Sequence, residues 1–321
     1  MIARRPLLGA VAAAPLAAQA QVGDAYPNRP VRVVVPFPPG GATDIVARLL
    51  CERLSARWRL PVVIENRGGG GTSVGTQVVA RAVPDGYSWG FVVSAHAINP
   101  AIRTDLPYDT LRDFAPIGQV MRAHVALVAH PSVPANDLKG VVALSRERAE
   151  GMDVATSGIG TVMHMLTELL VAEAGARFTH VPYNGSAPAQ IDVTAGRVPL
   201  FIDGWHAVRP QVEAGRLKII AAASESPVPG APNLPLMRAD FPAIGAQSII
   251  GLVAPAGTPP AVVARIAAEC RAVVSDPELA PRLAEMGLEP VAADPDAFAR
   301  LIEAEIGRWR RVVRDRGIAP T

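Results

Sequence analysis

Apolar and polar positions along the chain follow two periods that take turns. Residues 31–35, VRVVV, are a short β-branched run and read as a buried strand. Residues 44–58 then place Ile45, Leu49, Leu50 and Leu54 on one face of a helix. Strand patterns recur at 62–65, 88–93, 125–129, 153–155, 178–181, 198–202 and 217–222. Helical patterns lie between them at 73–83, 136–148, 161–174, from Pro188 to about 195, and at 205–214. This alternation predicts an α/β fold with largely parallel sheets. The 31 prolines and 28 glycines fall between periodic segments, as turn punctuation.

A pseudo-repeat divides the chain. VALVAHPSVPANDLKGVVAL (125–144) resembles IGLVAPAGTPPAVVARIAA (250–268): each is an apolar strand ending at proline, then a turn, then a helix. Two such elements about 125 residues apart fit a chain that crosses twice between domains. Residues 24–123 and 251–321 are expected in domain 1, and 124–250 in domain 2. A ligand is then expected in the cleft between them, facing strand C-termini and helix N-termini.

Composition narrows the function. A chain of 321 residues supports two ordinary cores. Thirty-one basic against 29 acidic residues, with no basic run carrying interleaved aromatics, argue against a nucleic-acid partner. Arg4 and Arg5, the apolar stretch 7–16 and the Ala18-Gln19-Ala20 site read as an export signal, residues 1–20, cleaved near Ala20. The arginine pair leaves the general and twin-arginine export routes both open. No mature stretch is long and apolar enough to span a bilayer, and the expected location is the periplasm. Cys51 and Cys270 fall in helical patterns, so a disulfide and two buried thiols are both open.

The candidate chemistry lies in loops. After the first strand, PFPPGG leads into a helix near Thr43, a junction that aims backbone N–H groups at one spot on the positive end of a helix dipole. Related junctions occur at 156–161 and 182–188. Several anion-competent loops in one chain point to a carboxylate receptor. Asp44 suits the dipole of the helix as well as a cationic ligand group. The competing enzyme signal is Gly71-Thr72-Ser73-Val74-Gly75, which matches the G-x-S-x-G elbow of hydrolases, with His206 or His164 as base and Asp203 behind it. An elbow serine ends a strand, whereas residues 66–70 intervene here. His96, His124, His130, His164, His180 and His206 show no metal-ligand spacing, and no phosphate-binding glycine motif occurs, so no metal and no cofactor is expected.

VPFPPGGATDIVARLL, VVIENRGGGG, PDGYS, INPAIRTDLPYDTLRDFAPI, TSGIGT, VPYNGSAPA, AGRVPLFID and APAGTP, in this order and spacing, resemble the Bug family. These are the extracytoplasmic receptors of tripartite tricarboxylate transporters, and the resemblance covers nearly the whole mature chain. It implies a type II periplasmic-binding fold, two α/β domains around a cleft, that closes on a small carboxylate and delivers it to a membrane permease without chemistry. A monomer is expected. The ligand loops it implies are Phe37 to Asp44, with the amides of Gly40, Gly41 and Ala42 and the Thr43 hydroxyl on one carboxylate; Ser157, Gly158, Gly160 and Thr161; and Tyr183 and Gly185. Asp203 matches an acidic position facing the cleft, and Ser94 and His96 are expected to line the pocket. The chain departs from the family at Asn184, where lysine is usual, at Ile249 and Ile250, where an aromatic is frequent, and at Gly204-Trp205-His206, which makes Trp205 and His206 candidates for shaping the pocket. The expected function is a carboxylate receptor feeding a permease. The alternatives are a secreted serine hydrolase using Ser73 and a carboxylate sensor for a signalling partner.

Overall fold

The computed structural model describes residues 26–224 and 226–318, so the export signal read at 1–20 lies outside the described residues. Strand β1 (Val31–Val35) pairs in parallel with β2 (Val62–Asn66) and β3 (Ser88–Val93). Successive side chains of a strand point to opposite faces. Val33 and Val35 therefore enter a cluster with Leu50, Leu54, Trp89 and Phe91, and Val34 enters another with Val92, Phe114 and Phe298. Helix α1 (Ala42–Trp58) follows β1 and covers the first of these faces. Cys51 and Cys270 are buried in the same cluster as free thiols, and burial pushes the Cys51 thiol up to about 12.

The two parts of the chain share one sheet. Strand β4 (Phe114–Ala129) is 16 residues long. Its first part pairs antiparallel with β9 (Gln247–Pro255), which in turn pairs with β3. Its last residues pair with β7 (Leu200–Gly204) and β8 (Lys218–Ala222). Beyond β7 lie β5 (Met152–Thr156) and β6 (Phe178–Pro182), in parallel. The order is β2-β1-β3-β9-β4-β7-β5-β6, with β8 and β10 (Leu288–Pro290) also on β4. Alternation repeats along β4: Val125, Leu127 and Ala129 face one core, Ala126 and Val128 the other.

Two features depart from the sequence reading, and proline accounts for both. The strand expected at 125–129 is only the end of β4, whose start is hidden by Pro116, beside a register shift in the β4–β9 pairing. Helix α3 (Ala95–Ile102) was not expected because it contains Pro100. That proline frees the carbonyl of His96, four residues back, which accepts a hydrogen bond from the Thr110 hydroxyl at 3.3 Å.

The remaining helices are α2 (Ser73–Ala80), α4 (Leu138–Glu147), α5 (Val162–Ala174), α6 (Ser186–Thr194), α7 (Trp205–Glu213), α8 (Met237–Asp240), α9 (Pro260–Val274), α10 (Ala280–Glu285) and α11 (Pro295–Arg316). None is long and apolar enough to cross a membrane, among the described residues. Helix α11 serves both parts. Phe298, Ile302 and Ile306 pack with Val34 and Val92, while Trp309 and Val313 join the core of the middle region. Ile98 and Ile102 of α3 join that middle core too. The close fit of α11 to the sheet depends on Gly251, where a Cβ would come within 2.1 Å of the Phe298 ring.

Candidate functional site

Three helices begin at glycine with no side-chain cap: α1 at Gly41, α6 at Gly185 and α7 at Gly204, the last crowded by the His206 ring, which a Cβ there would meet at 2.2 Å. Helices α4, α5 and α11 differ. Their caps Asp137, Thr161 and Asp294 accept the backbone N–H of Gly140, His164 and Ala297. First-turn N–H groups have no acceptor inside their own helix. A Cβ added at Gly40, Gly41 or Gly185 would meet nothing within 4 Å, so these backbones border open space.

Asp44 builds the first of these corners. Its buried carboxylate accepts the Gly40 N–H at 3.0 Å, Asn66 Nδ2 at 2.9 Å and Arg48 Nε at 2.8 Å. Asn66 Nδ2 also donates to the Phe37 carbonyl at 3.0 Å, so one residue at the end of β2 pins both ends of the 37–44 turn. Burial alone would raise the Asp44 pKa; the bonds from Arg48, Asn66 and Gly40 outweigh it and hold the carboxyl below its usual range.

The 157–161 loop is closed on itself. Thr161 donates its hydroxyl to the Gly158 carbonyl at 2.7 Å, Gly158 N–H reaches Thr156 Oγ1 at 3.3 Å, and Gly160 N–H reaches His164 Nδ1 at 3.3 Å. Gly185 N–H donates to the Ser157 carbonyl at 3.2 Å, joining this loop to the next. The imidazoles of His164 and His180 stack behind it at 4.2 Å, and burial pushes both down to about 4. Asp203, the residue before the end of β7, accepts the Ser186 hydroxyl and the Gly204 N–H, and is lifted to about 6 by its burial.

The structure thus redistributes the residues expected from sequence. Phe37, Gly40, Gly41 and Ala42 form one open corner, and Ser157, Gly158, Tyr183 and Gly185 form a second. The Gly40 amide, expected to face a ligand, donates to Asp44 instead, and the amides of the loop residues Gly158, Gly160 and Gly185 donate to Thr156, His164 and Ser157. Gly41 and Ala42, at the start of α1, are not buried. Thr43 is 6% exposed. The Tyr183 hydroxyl donates to Asp192.

Three expected pocket residues lie in the interior. His96 is buried, stacked beside Tyr108 and edge-on to Phe114, because the apolar face of α3 carries it inward. Ser94 is buried and its Oγ accepts the Ile249 N–H at 2.8 Å, tying α3 to β9. Trp205 is 4% exposed and packs with Ala126 and Phe201, its ring against Gly287, where a Cβ would approach within 2.6 Å. Ser73 has ordinary helical angles, φ −61° and ψ −32°, and its Oγ receives Arg103 Nη1 at 3.3 Å. That is not the strained strand-end geometry of a nucleophile elbow. Among the described residues, no three His, Cys, Asp or Glu side chains gather as metal ligands. Asn66, Ser186 and Arg103 were not singled out from sequence; an Asn ending a strand ahead of a glycine run is the one local signal that pointed to any of them.

Residues 46–318 match the family described as tripartite tricarboxylate transporter family receptor, TctC. The chain belongs to this family. Solved TctC-like relatives share the fold. An R. palustris protein solved with adipate is 34% identical, covers 92% of this chain and 100% of its own, and superposes with a TM-score of 0.87. The periplasmic binding protein BugD is 32% identical over 92% of this chain and 99% of its own, with a TM-score of 0.84. MatC from Rhodopseudomonas palustris, solved with malate, is 31% identical over 90% of this chain and 100% of its own, with a TM-score of 0.82. The TctC receptor here is accordingly an α/β protein of the periplasmic-binding type, and its family is a solute-binding one.

Proposed function

We propose that this TctC receptor captures a small carboxylate between two domains, 24–123 with 251–321 and 124–250, and delivers it to the permease of a tripartite transporter. The observation that carries the reading is the pair of uncapped glycine helix starts, at Gly41 and Gly185, each bordering open space. Oriented first-turn N–H groups and the helix dipole favour a carboxylate there without a bound cation. Relatives solved with adipate and malate place two dicarboxylates on this scaffold. The ligand set proposed is Phe37, Gly41, Ala42 and Thr43 from one side, Ser157, Tyr183 and Gly185 from the other, and Asp203 at the base, ordering water or a ligand hydroxyl. Export, cleavage near Ala20 and action in the periplasm as a monomer complete the proposal. Only the liganded, closed state would dock the permease.

The test is thermal unfolding of residues 21–321 with adipate, malate, citrate, an acidic amino acid and an aromatic acid, each beside its ester or amide. A ligand bound only by the folded state adds about 2.7 kcal/mol at a hundredfold excess over its Kd. A midpoint rise with an acid, absent with its ester, is expected, and unchanged in Ser73→Ala. The proposal fails if no acid shifts the midpoint and mass spectrometry of the denatured protein releases no carboxylate.

A further inference from the structure

Two stacked imidazoles lie behind the 157–161 loop, and the carboxylate reading gives them no task. His164 is in the first turn of α5 and His180 stands in β6. Their rings stack at 4.2 Å with 18° between the planes. His164 Nδ1 accepts the Gly160 N–H at 3.3 Å. An imidazole nitrogen that accepts an N–H carries no proton, so His164 is neutral with its proton on Nε2. Nε2 faces Glu168 Oε1, one helical turn on, at 3.8 Å. Burial keeps the ring in this state, since it pushes the imidazole down to about 4.

His180 continues the brace. Its Nε2 lies 2.6 Å from Thr156 Oγ1, and that oxygen accepts the Gly158 N–H at 3.3 Å. Both glycine amides of the loop are thus taken from behind. The amides that follow them, at Ile159 and Thr161, have no acceptor among the described residues. Ile159 is 44% exposed, which places the tip of the loop at the surface. Gly158 and Gly160 adopt φ of +137° and +77°. Glycine loses more backbone freedom on ordering than any other residue, so a loop with two of them keeps one form only where its peptides are held.

We propose that His164 is a positioning residue: its neutral Nδ1 fixes the Gly160 peptide, and with it the direction in which the Ile159 and Thr161 amides are presented to a carboxylate. The inference rests on the receptor reading and adds the Ile159 amide to the donors named there. Removing the acceptor leaves every ligand contact in place and lowers affinity through lost preorganisation alone.

The experiment compares the parent with His164→Asn and His164→Gln. The asparagine Oδ1 sits as far along the side chain as Nδ1 does, and restores an acceptor for Gly160; the glutamine amide reaches the place of Nε2 and does not. Hydrogen exchange at the Gly160 amide of the unliganded protein, followed by NMR, reads the brace. Calorimetry with adipate, or with malate if adipate does not bind, reads affinity. His164→Asn is expected to keep slow exchange at Gly160 and an affinity near the parent's. His164→Gln is expected to exchange Gly160 about tenfold faster and to bind about tenfold more weakly. If His164→Gln fails to fold, His164→Leu, which also lacks the acceptor and suits a buried site, takes its place. An imidazole that only filled space would make asparagine, the smaller side chain, no better than glutamine. His164→Asn as weak as His164→Gln, or an affinity in His164→Gln equal to the parent's, would overturn the proposal. If no acid binds the parent, the receptor reading fails by itself, and Gly160 still decides whether His164 holds the loop: exchange in His164→Gln as slow as in the parent rejects it.

Discussion

Asp44→Ala is expected to weaken carboxylate binding at least tenfold, roughly 1.4 kcal/mol in binding free energy, and to lower folding stability by about 2–3 kcal/mol. The cost does not come mainly from the Arg48 ion pair. Arg48 is 57% exposed, and such pairs contribute little in water. It comes from the donors left behind: the Gly40 N–H and Asn66 Nδ2, both of which now end on the buried carboxylate. Without that acceptor Asn66 loses one of its two anchors, and the turn from Phe37 to Asp44 is no longer held from both ends. The Gly41 and Ala42 amides then sample many directions, and the preorganisation that favours an anion is lost. Asp44→Asn keeps an acceptor oxygen and is expected to fall between parent and alanine. Chemical denaturation and calorimetry with adipate measure the two effects. Affinity unchanged beside lowered stability would mean that Asp44 braces the fold and not the site. Because its carboxyl is held below the usual range, the stability it contributes is present above the ordinary carboxylate pKa and lost as pH falls through the folded value.

The second large effect is on acid stability. Between pH 6.5 and about 4 the fold is expected to lose at least ~3 kcal/mol. His96, His164 and His206 are held down by burial, to about 3, 4 and 4, and His180 to about 4 by burial and the neighbouring His164. The unfolded chain takes up protons near 6.5, while the folded chain does not until about 4. The unfolded state therefore binds more protons in this window, and stability falls as pH falls through it. Asp203 acts in the other direction. Burial lifts it to about 6 from 3.8, so between these values the folded chain holds the proton and its contribution declines as pH rises. Burial also raises the Glu168 carboxyl, which acts in the same direction as Asp203, but two carboxyls do not offset four imidazoles. Urea midpoints from pH 7.5 to 4.5 test this, with His96→Phe as the internal check. His96 sits edge-on to Phe114 with both ring nitrogens unpartnered, so an aromatic hydrocarbon fits its surroundings and should flatten the slope. A midpoint that is flat across this range, or a slope identical in His96→Phe, would contradict the account.

The strands and helices of this chain were legible because each carries its own period. VRVVV can bury both faces only inside a sheet, and the helix after it shows its stripe at Leu50 and Leu54. The loop positions were legible for the same reason: proline and glycine interrupt those periods at 36–41, 156–161 and 182–188. The reading failed at two internal prolines, Pro116 in β4 and Pro100 in α3, since the compensating bulge and the Thr110 bond come from distant residues, whereas Pro210 did not hide α7. The expectation of a carboxylate receptor rested on the Pro/Gly junctions that lead into helices. Which amides remain open could not be read from them, because Gly40, Gly160 and Gly185 are claimed by Asp44, His164 and Ser157 across turns whose geometry no local pattern encodes. Sequence alone likewise set His96 and Trp205 beside the cleft, as residues flanking strand ends. Tertiary packing turned them inward, because burying a large ring beside Phe114 or against Gly287 removes more apolar surface from water than exposing it at a cleft wall. The period of a segment decides what it becomes; the direction of each side chain at its ends is decided by what the rest of the chain brings against it.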